Sequence, residues 1–560
     1  MRSSLVFAIG FAFLVSYLVA VNRGFDPPLL AFWLSILLLC VVPIYQLSKS
    51  DVVAGSWEKI ILIELVMMTL AFRLIWVLPF SSSLRDIDPH YDYGAAKLIM
   101  DYGWSRSLEL PLLGKTRAHL EWPLLHILAV QVSNITGIDL FQLVSYLPLI
   151  YGPFSLPLFY LFAKTTYSDT RMGLLASYGM SALYEYVVWD SKFVRESLAT
   201  GIFWLVLFAS LKAVKSRKPG FGVFAIVGAV SLVFCHNLTT VMLVLFGASA
   251  LVVGWSSRSR LLRYFFPGLE TQKERRTNPA LLFVVLIVVT MVAQWAYAGY
   301  WALDWIIGIV DELQWSGFGG TYAFGVMSPR IAISLYGNAA FLLIVGCILL
   351  FHVRRQTCTN LISDLESGIW GFLVVGVCLL VARVQVLSEY LEVTRLQKFG
   401  WPFILIVTAH VLSRNKRRMY LVLFTLFVIL QIFTIPPHYY TRSISPDYTS
   451  GRFRGYYLAE EYAAVDWFNS SDKVVGDLVV FELLGGLKQV HVVDARTFLS
   501  DDQLHLPPGY LFFYRMEDSQ NLLTVMPIEV TKVVTIRPET LDAVANRYYD
   551  NTQVIVFGSF

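Results

Sequence analysis

The stretch LRDIDPHYDYGAAKLIMDYG, residues 84–103, decides how the chain is read. It follows a long apolar run directly and gathers Asp86, Asp88, His90, Asp92, Lys97 and Asp101. The chain around it is poor in charge: 15% of its 560 residues are Asp, Glu, Lys or Arg, against about 25% in soluble domains. Hydrophobic residues make up 56%, and the mean hydropathy is +0.60. These values describe an integral membrane protein with many spans. In such a protein, carboxylates clustered at the lip of a helix serve no packing purpose. A solvated loop explains any one of these side chains, but it explains the set less well.

Working outward, apolar runs of about the 20 residues needed to cross a bilayer fall at 5–22, 29–47, 60–80, 141–163, 171–188, 193–211, 220–235, 238–255, 280–298, 330–352, 368–387, 396–413 and 419–436. About thirteen spans are expected. The basic loops are KAVKSRK (212–218), residues 258–276, Arg354–Arg355 and RNKRR (414–418). With the N-terminus inside, all four fall in the cytoplasm, as the positive-inside rule requires. Residues 84–103 and everything after Pro436 then lie outside. The first apolar run lacks a small-residue cleavage site and reads as a retained span. The segment WPLLHILAVQVSNI (122–135) is too short to cross, and counting it as a span would invert every later basic loop. It reads as an interfacial helix with a proline in its first turn. Residues 299–330, with Trp301, Trp305 and Trp315 among several glycines, suit a re-entrant or surface-lying segment.

After about residue 450 the composition becomes that of a soluble domain. GYYLAEEYAAVDWFN has helical apolar spacing, and KVVGDLVVF, QVHVVDA, GYLFFYR and TQVIVFG are short β-rich runs. The expected fold class is therefore mainly α, a polytopic membrane protein with a small extracytoplasmic α+β domain at its C-terminal end. The expected divisions are 1–59 (two additional helices), 60–440 (the membrane domain, with a large first outer loop at 81–139) and 450–560. The five cysteines show no metal or redox spacing, and no nucleic-acid partner is expected.

Five groups carry candidate chemistry, and the topology sends all of them to the outer face. In the first, Pro89 keeps Asp88 out of helical geometry and starts the helix that follows. Capping accounts for one Asp, not for Asp86, Asp88, His90 and Asp92 within seven residues. A carboxylate here suits a general base, or a ligand of a divalent cation such as Mg or Mn; the spacing does not choose. In the second, Glu121 and His126 flank the start of the interfacial helix, where a satisfied structural histidine competes with a substrate contact. The third is Arg195-Glu196, an ionisable pair at a span end that either faces a cavity or pairs with Asp190 and Lys192. The fourth is His236-Asn237-Leu238-Thr239-Thr240, which suits sugar hydroxyls or caps the next helix. In the fifth, Glu389, Glu392, Arg395 and Lys398 lead into a late span, where Arg395 suits a lipid-linked phosphate or snorkels.

In its order of elements the chain resembles the GT-C superfamily of polytopic glycosyltransferases, which includes oligosaccharyltransferase catalytic subunits, protein O-mannosyltransferases and lipid A aminoarabinose transferases. Asp88-Pro89-His90-Tyr91-Asp92-Tyr93 with Gly103 downstream resembles that superfamily's first-loop pattern. Trp122-Pro123-Leu124-Leu125-His126 resembles its Y-P-P-x-x-H segment, and Asn546–Asn551 resembles the end of archaeal members. The resemblance implies a polyprenyl- or dolichyl-phosphate-linked sugar donor and an inverting transfer to a glycan, lipid or protein acceptor. It implies a first-loop catalytic Asp, Asp88 by motif with Asp86 its rival, and Arg395 on the donor phosphate. The oligosaccharyltransferase signature W-W-D-x-G is absent, since Val187-Val188-Trp189-Asp190 stands elsewhere and lacks the glycine. A flippase for lipid-linked saccharides, or a non-catalytic binding protein, is the competing reading.

Overall fold

The computed structural model describes residues 2–49, 55–80, 84, 88–109, 115–256, 278–298, 393–414, 418–433 and 468, with the strands at 473–476, 491–494, 499–500, 503–504, 511–515, 545–550 and 554–559. The protein is a mainly helical polytopic membrane protein, and five of its described helical stretches are long and apolar enough to cross a bilayer. The chain divides into two compact units: residues 1–75, 149–191 and 196–440 form one, and residues 76–148, 192–195 and 441–560 form the other.

The first unit begins with α1 (Arg2–Asn22) and α2 (Leu29–Ser48), an antiparallel pair turned at Pro28, followed by α3 (Ser56–Val77). These match the expected runs at 5–22, 29–47 and 60–80. Pro43 sits inside α2, which an apolar helix tolerates where neighbours re-satisfy the freed carbonyl. The second unit opens with five short helices: α4 (Asp88–Tyr102), α5 (Trp104–Glu109), α6 (Lys115–Leu120), α7 (Leu124–Thr136) and α8 (Leu140–Tyr146). Gly103, at φ +77°, ends α4 in the left-handed conformation, and its N–H donates to the Ile99 carbonyl at 2.9 Å. The turn lets α5 fold back, so that Trp104 Nε1 donates to the Leu120 carbonyl at 2.9 Å and Ser107 Oγ to that of Leu98 at 3.0 Å. The short helix expected over 122–135 is observed as α7, Leu124–Thr136, with Pro123 at its N-cap and not in its first turn, and it is stopped by Gly137 at φ +70°.

The first unit resumes with α9 (Pro148–Tyr167), α10 (Thr170–Ala182) and α11 (Tyr184–Asp190). Next come α12 (Arg195–Ser216), α13 (Pro219–Val233), α14 (Asn237–Ser256), α15 (Asn278–Tyr297), α16 (Val393–Arg414) and α17 (Arg418–Phe433). The run 171–188, expected as one span, is two helices. Leu183 is extended (φ −58°, ψ 121°), and Tyr184 N–H donates to Gln431 Oε1 at 3.4 Å instead of continuing the helical ladder. The 13-residue α10 is about 20 Å long, shorter than the hydrocarbon core of about 30 Å. The expected spans at 330–352 and 368–387 and the tryptophan-rich segment 299–330 lie outside the described residues.

In the C-terminal region, β1 (Lys473–Gly476), β2 (His491–Asp494), β5 (Leu511–Arg515), β6 (Ala545–Asp550) and β7 (Val554–Ser559) make one sheet in the order β2-β1-β5-β7-β6. β1 runs parallel to both of its neighbours, while β5–β7 and β7–β6 are antiparallel. β3 (Leu499–Ser500) and β4 (Gln503–Leu504) form a separate antiparallel pair. The four β-rich runs contain β1, β2, β5 and β7. Residues 546–550, read in the sequence only as a terminal motif, belong to β6. The expected helix over GYYLAEEYAAVDWFN lies outside the described residues.

In the first unit α10 packs on α16 and α17 through Gly179, where an added Cβ would stand 2.7 Å from Leu405 Cδ2 and 2.8 Å from Phe424 Cζ. Gly179→Ala is expected to overpack this crossing and destabilise the protein by about 1–3 kcal/mol, read as a lowered unfolding temperature in detergent. An unchanged or raised temperature contradicts the close approach.

Candidate functional site

Asp92 lies one turn into α4, with 1% of its surface exposed. Its Oδ1 receives three donors: His119 Nδ1 at 2.7 Å, His126 Nε2 at 2.7 Å and Arg195 Nε at 3.2 Å. α6 supplies His119, α7 supplies His126, and the first residue of α12 is Arg195. Arg195 also donates through Nη1 to the Ala118 carbonyl at 3.2 Å, and its guanidinium lies over the Trp122 ring at 5.3 Å. One side chain thus holds α4, α6 and the entry to α7 together. Burial alone would raise the Asp92 carboxyl. The charge that His119 carries when protonated, the Arg195 guanidinium and the imidazole hydrogen bonds outweigh it and hold Asp92 well below the usual carboxylate range. Burial, with Arg195 beside it, lowers His119; burial lowers His126 as well. At neutral pH this is an ionised carboxylate with Arg195 as its counter-charge and two neutral imidazoles as N–H donors.

Both imidazoles must present N–H to the carboxylate, and this sets their tautomers. His119 carries its proton on Nδ1 and has a lone pair on Nε2; His126 carries its proton on Nε2. His126 is fully buried, and its Nδ1 and Asp92 Oδ2 lack hydrogen-bond partners among the described residues. The set does not read as a metal centre. The 2.7 Å contacts are hydrogen bonds, the Arg195 guanidinium on the same oxygen is a poor neighbour for a divalent ion, and no metal-holding group of His, Cys, Asp or Glu occurs among the described residues.

The sequence-derived residues divide between the two units. Asp88, His90, Asp92, Glu121, His126 and Arg195 stand in the second. Asp88 is the first residue of α4, half-buried and one turn before Asp92; His90 and Glu121 are buried. Asp86 lies outside the described residues. Glu196, His236 and Arg395 stand in the first unit. His236 turns onto its own helix, with Nδ1 2.8 Å from Thr239 Oγ1, and Thr240 Oγ1 donates to the carbonyls of His236 and Leu232. Arg395 lies in the first turn of α16.

Glu196 belongs to a second buried charge cluster. Lys398 Nζ lies 2.7 Å from Asp190 Oδ1 and 3.2 Å from Glu196 Oε1, while Arg73 Nη2 lies 3.3 Å from Asp190 Oδ2. Arg73 also donates to the carbonyls of Thr69 and Tyr186. All four side chains are at most 3% exposed. Gly152 makes room for the cluster, since a Cβ there would stand 2.7 Å from Arg73 Nε. Pairing with Asp190 and Lys192 at the rim is one of the two alternatives the sequence leaves open for Arg195-Glu196. Asp190 does share Lys398 with Glu196, while Arg195 goes to Asp92.

Sequence reasoning missed His119 and Arg73. A signal for His119 existed: it precedes His126 by seven residues, the spacing of two turns on one face, yet the turn at 121–123 breaks that helix. Arg73 sits alone in an apolar run, and nothing local marks its partner 117 positions away.

No protein-family model matches the chain, and no curated protein matches it. Among solved structures it is similar to ArnT from Cupriavidus metallidurans bound to undecaprenyl phosphate, at 11% identity and a TM-score of 0.38, over 88% of this chain and 97% of that one. The apo state of the same protein gives 12% identity and a TM-score of 0.37 over the same shares.

The depressed values of Asp92, His119 and His126 all act in one direction. Each group binds protons less readily folded than unfolded, so its contribution is complete above its unfolded value and lost on acidification. The opening free energy of α4, α6 and α7, read by hydrogen exchange, is expected to be level above about pH 7. It should fall below about pH 6.5 as the imidazoles protonate in the open state, and fall again below about pH 4. An opening energy that rises on acidification contradicts the assignment. In the first unit, Lys398→Met takes from Glu196 its Lys398 partner and leaves Asp190 with Arg73 alone, and is expected to cost about 3–5 kcal/mol. Adding Glu196→Gln restores neutrality, so the double variant should unfold at a higher temperature than the single one; the reverse order refutes the pairing.

Proposed function

We propose that the protein is a membrane glycosyltransferase that moves a sugar from a polyprenyl- or dolichyl-phosphate donor to a glycan, lipid or protein acceptor at the extracytoplasmic face, with inversion. The observation that carries this reading is the placement of Asp88. It begins α4, half-buried, on a helix anchored one turn later by the Asp92 knot, within the D-P segment that resembles the GT-C first loop. A base needs a fixed position and access to its substrate. Asp92 is buried with three donors on Oδ1, which suits a positioning role, whereas Asp88 retains exposure.

The chemistry is consistent with these groups. Inversion calls for a base on the acceptor side and passes through an oxocarbenium-like state. Asp88 takes the acceptor hydroxyl proton as the new bond to the sugar forms, and the lipid phosphate departs with the electron pair of the broken bond. Phosphate is already a good leaving group, so no general acid is required. In this reading the resemblance alone assigns Arg395 to the charge that develops on the phosphate, and His90, Glu121 and Arg195 shape the acceptor side of the loop.

The test is transfer by purified protein from a mixture of polyprenyl- and dolichyl-phosphate sugars, wild type beside Asp88→Asn. The wild type is expected to transfer, and the variant to lose about 10²–10⁴-fold in kcat while still binding donor. Transfer that survives in Asp88→Asn moves the base to Asp86 or elsewhere. A wild type that binds or flips lipid-linked sugar without transferring it makes the protein a carrier or binding protein.

A further inference from the structure

Asp92 sets the tautomer of His119, and the lone pair left on Nε2 has a use. The two neutral imidazoles on Oδ1 are not equivalent. His126 is fully buried, whereas His119 keeps 8% of its side chain exposed. Among the described residues His119 makes one hydrogen bond, from Nδ1 to Asp92, and its ring lies beside that of Tyr91 at 5.5 Å. Asp88 and Asp92 are four residues apart on α4 and therefore share one face of that helix. α6 packs on that helix, so the imidazole bound to Asp92 sits beside the turn that Asp88 begins, near enough for the Asp88 charge to act on it.

We propose that His119 is the proton relay of the first-loop base: it accepts through Nε2 the proton that Asp88 takes from the acceptor, with Asp92 orienting the ring. The inference rests on the reading of Asp88 as the base. As the acceptor oxygen bonds to the sugar and the phosphate leaves with its electron pair, the hydroxyl proton passes to the Asp88 carboxylate. It then moves from Asp88 to His119 Nε2, forming an imidazolium beside ionised Asp92. The imidazolium releases it to water, and Asp88 is again ionised. The charged and titratable groups that act on His119 are Asp88 and Asp92 from α4, His126 from α7, and Arg195. α5 also packs on α6, and its Arg106 is exposed. Burial and Arg195 lower the His119 imidazole, which therefore returns the proton readily at neutral pH.

The deciding variant is His119→Asn, whose side-chain amide keeps a donor where Nδ1 stands but has no basic nitrogen. It is expected to lose about 10–100-fold in kcat with both KM values within about threefold, to lose the wild type's acidic limb in kcat, and to regain activity with added imidazole. A folded His119→Asn with wild-type kcat and pH profile, beside an inactive Asp88→Asn, overturns the relay and leaves the base in place. A wild type without transfer overturns the base and the relay together. The ¹⁵N imidazole shifts of the wild type test the same point without a variant. A proton on Nδ1 is expected; a proton on Nε2 at neutral pH overturns the relay.

Discussion

A single carboxylate oxygen that receives three donors in a water-poor setting is the interaction on which the first-loop region depends. An isolated ionised carboxylate so deeply buried would be costly enough to neutralise itself. Asp92 avoids this because His119, His126 and Arg195 reach it together. The six- and seven-residue helices α5, α6 and α8 would not be stable alone, and α4 and α7 are near the limit, since isolated helices shorter than about 12–15 residues are marginal in water. Their order comes from packing and from this shared acceptor. Arg195 is its most constrained member, bonded to Asp92, donating to a backbone carbonyl of α6 and lying over Trp122. Guanidinium geometry allows this and an ammonium would not, because its donors are fixed in a plane whose face can stack on a ring.

The cluster of Arg73, Asp190, Glu196 and Lys398 answers the same constraint in the other unit, with two cations and two carboxylates. Buried ion pairs of this kind contribute little net stability compared with apolar side chains of similar volume, while losing one member is costly. Their effect is to make one arrangement of α3, α11, α12 and α16 much better than its neighbours. Arg195 and Glu196 are consecutive in the chain, yet one joins the Asp92 knot and the other the Lys398 cluster. A reading that treats them as one ion pair misses that the backbone between them sends their side chains to different partners.

Much of this architecture was legible in the residues. The apolar runs at 5–22, 29–47 and 60–80 became helices of nearly those bounds because an apolar sequence in a bilayer has no other way to satisfy its backbone. The shortness of 122–135 and the strands at 473–476, 491–494, 511–515 and 554–559 were readable from local pattern. The break at Leu183 was not: the local sequence carries no proline or glycine there, and the compensating acceptor, Gln431, is 247 residues away.

The sequence by itself determined that this is a polytopic membrane protein with charge concentrated after its third apolar run, because hydrophobicity and charge are local properties summed along the chain. It also marked Asp88, Asp92, His126 and Arg195 as side chains out of place in an apolar protein. Only the tertiary structure decided which of them meet. Hydrogen-bond partners and ionisation states depend on distances between residues far apart in the chain. His119 acquired its partner, tautomer and lowered basicity when α6 closed on α4, and Arg73 found Asp190 when α3 met α11.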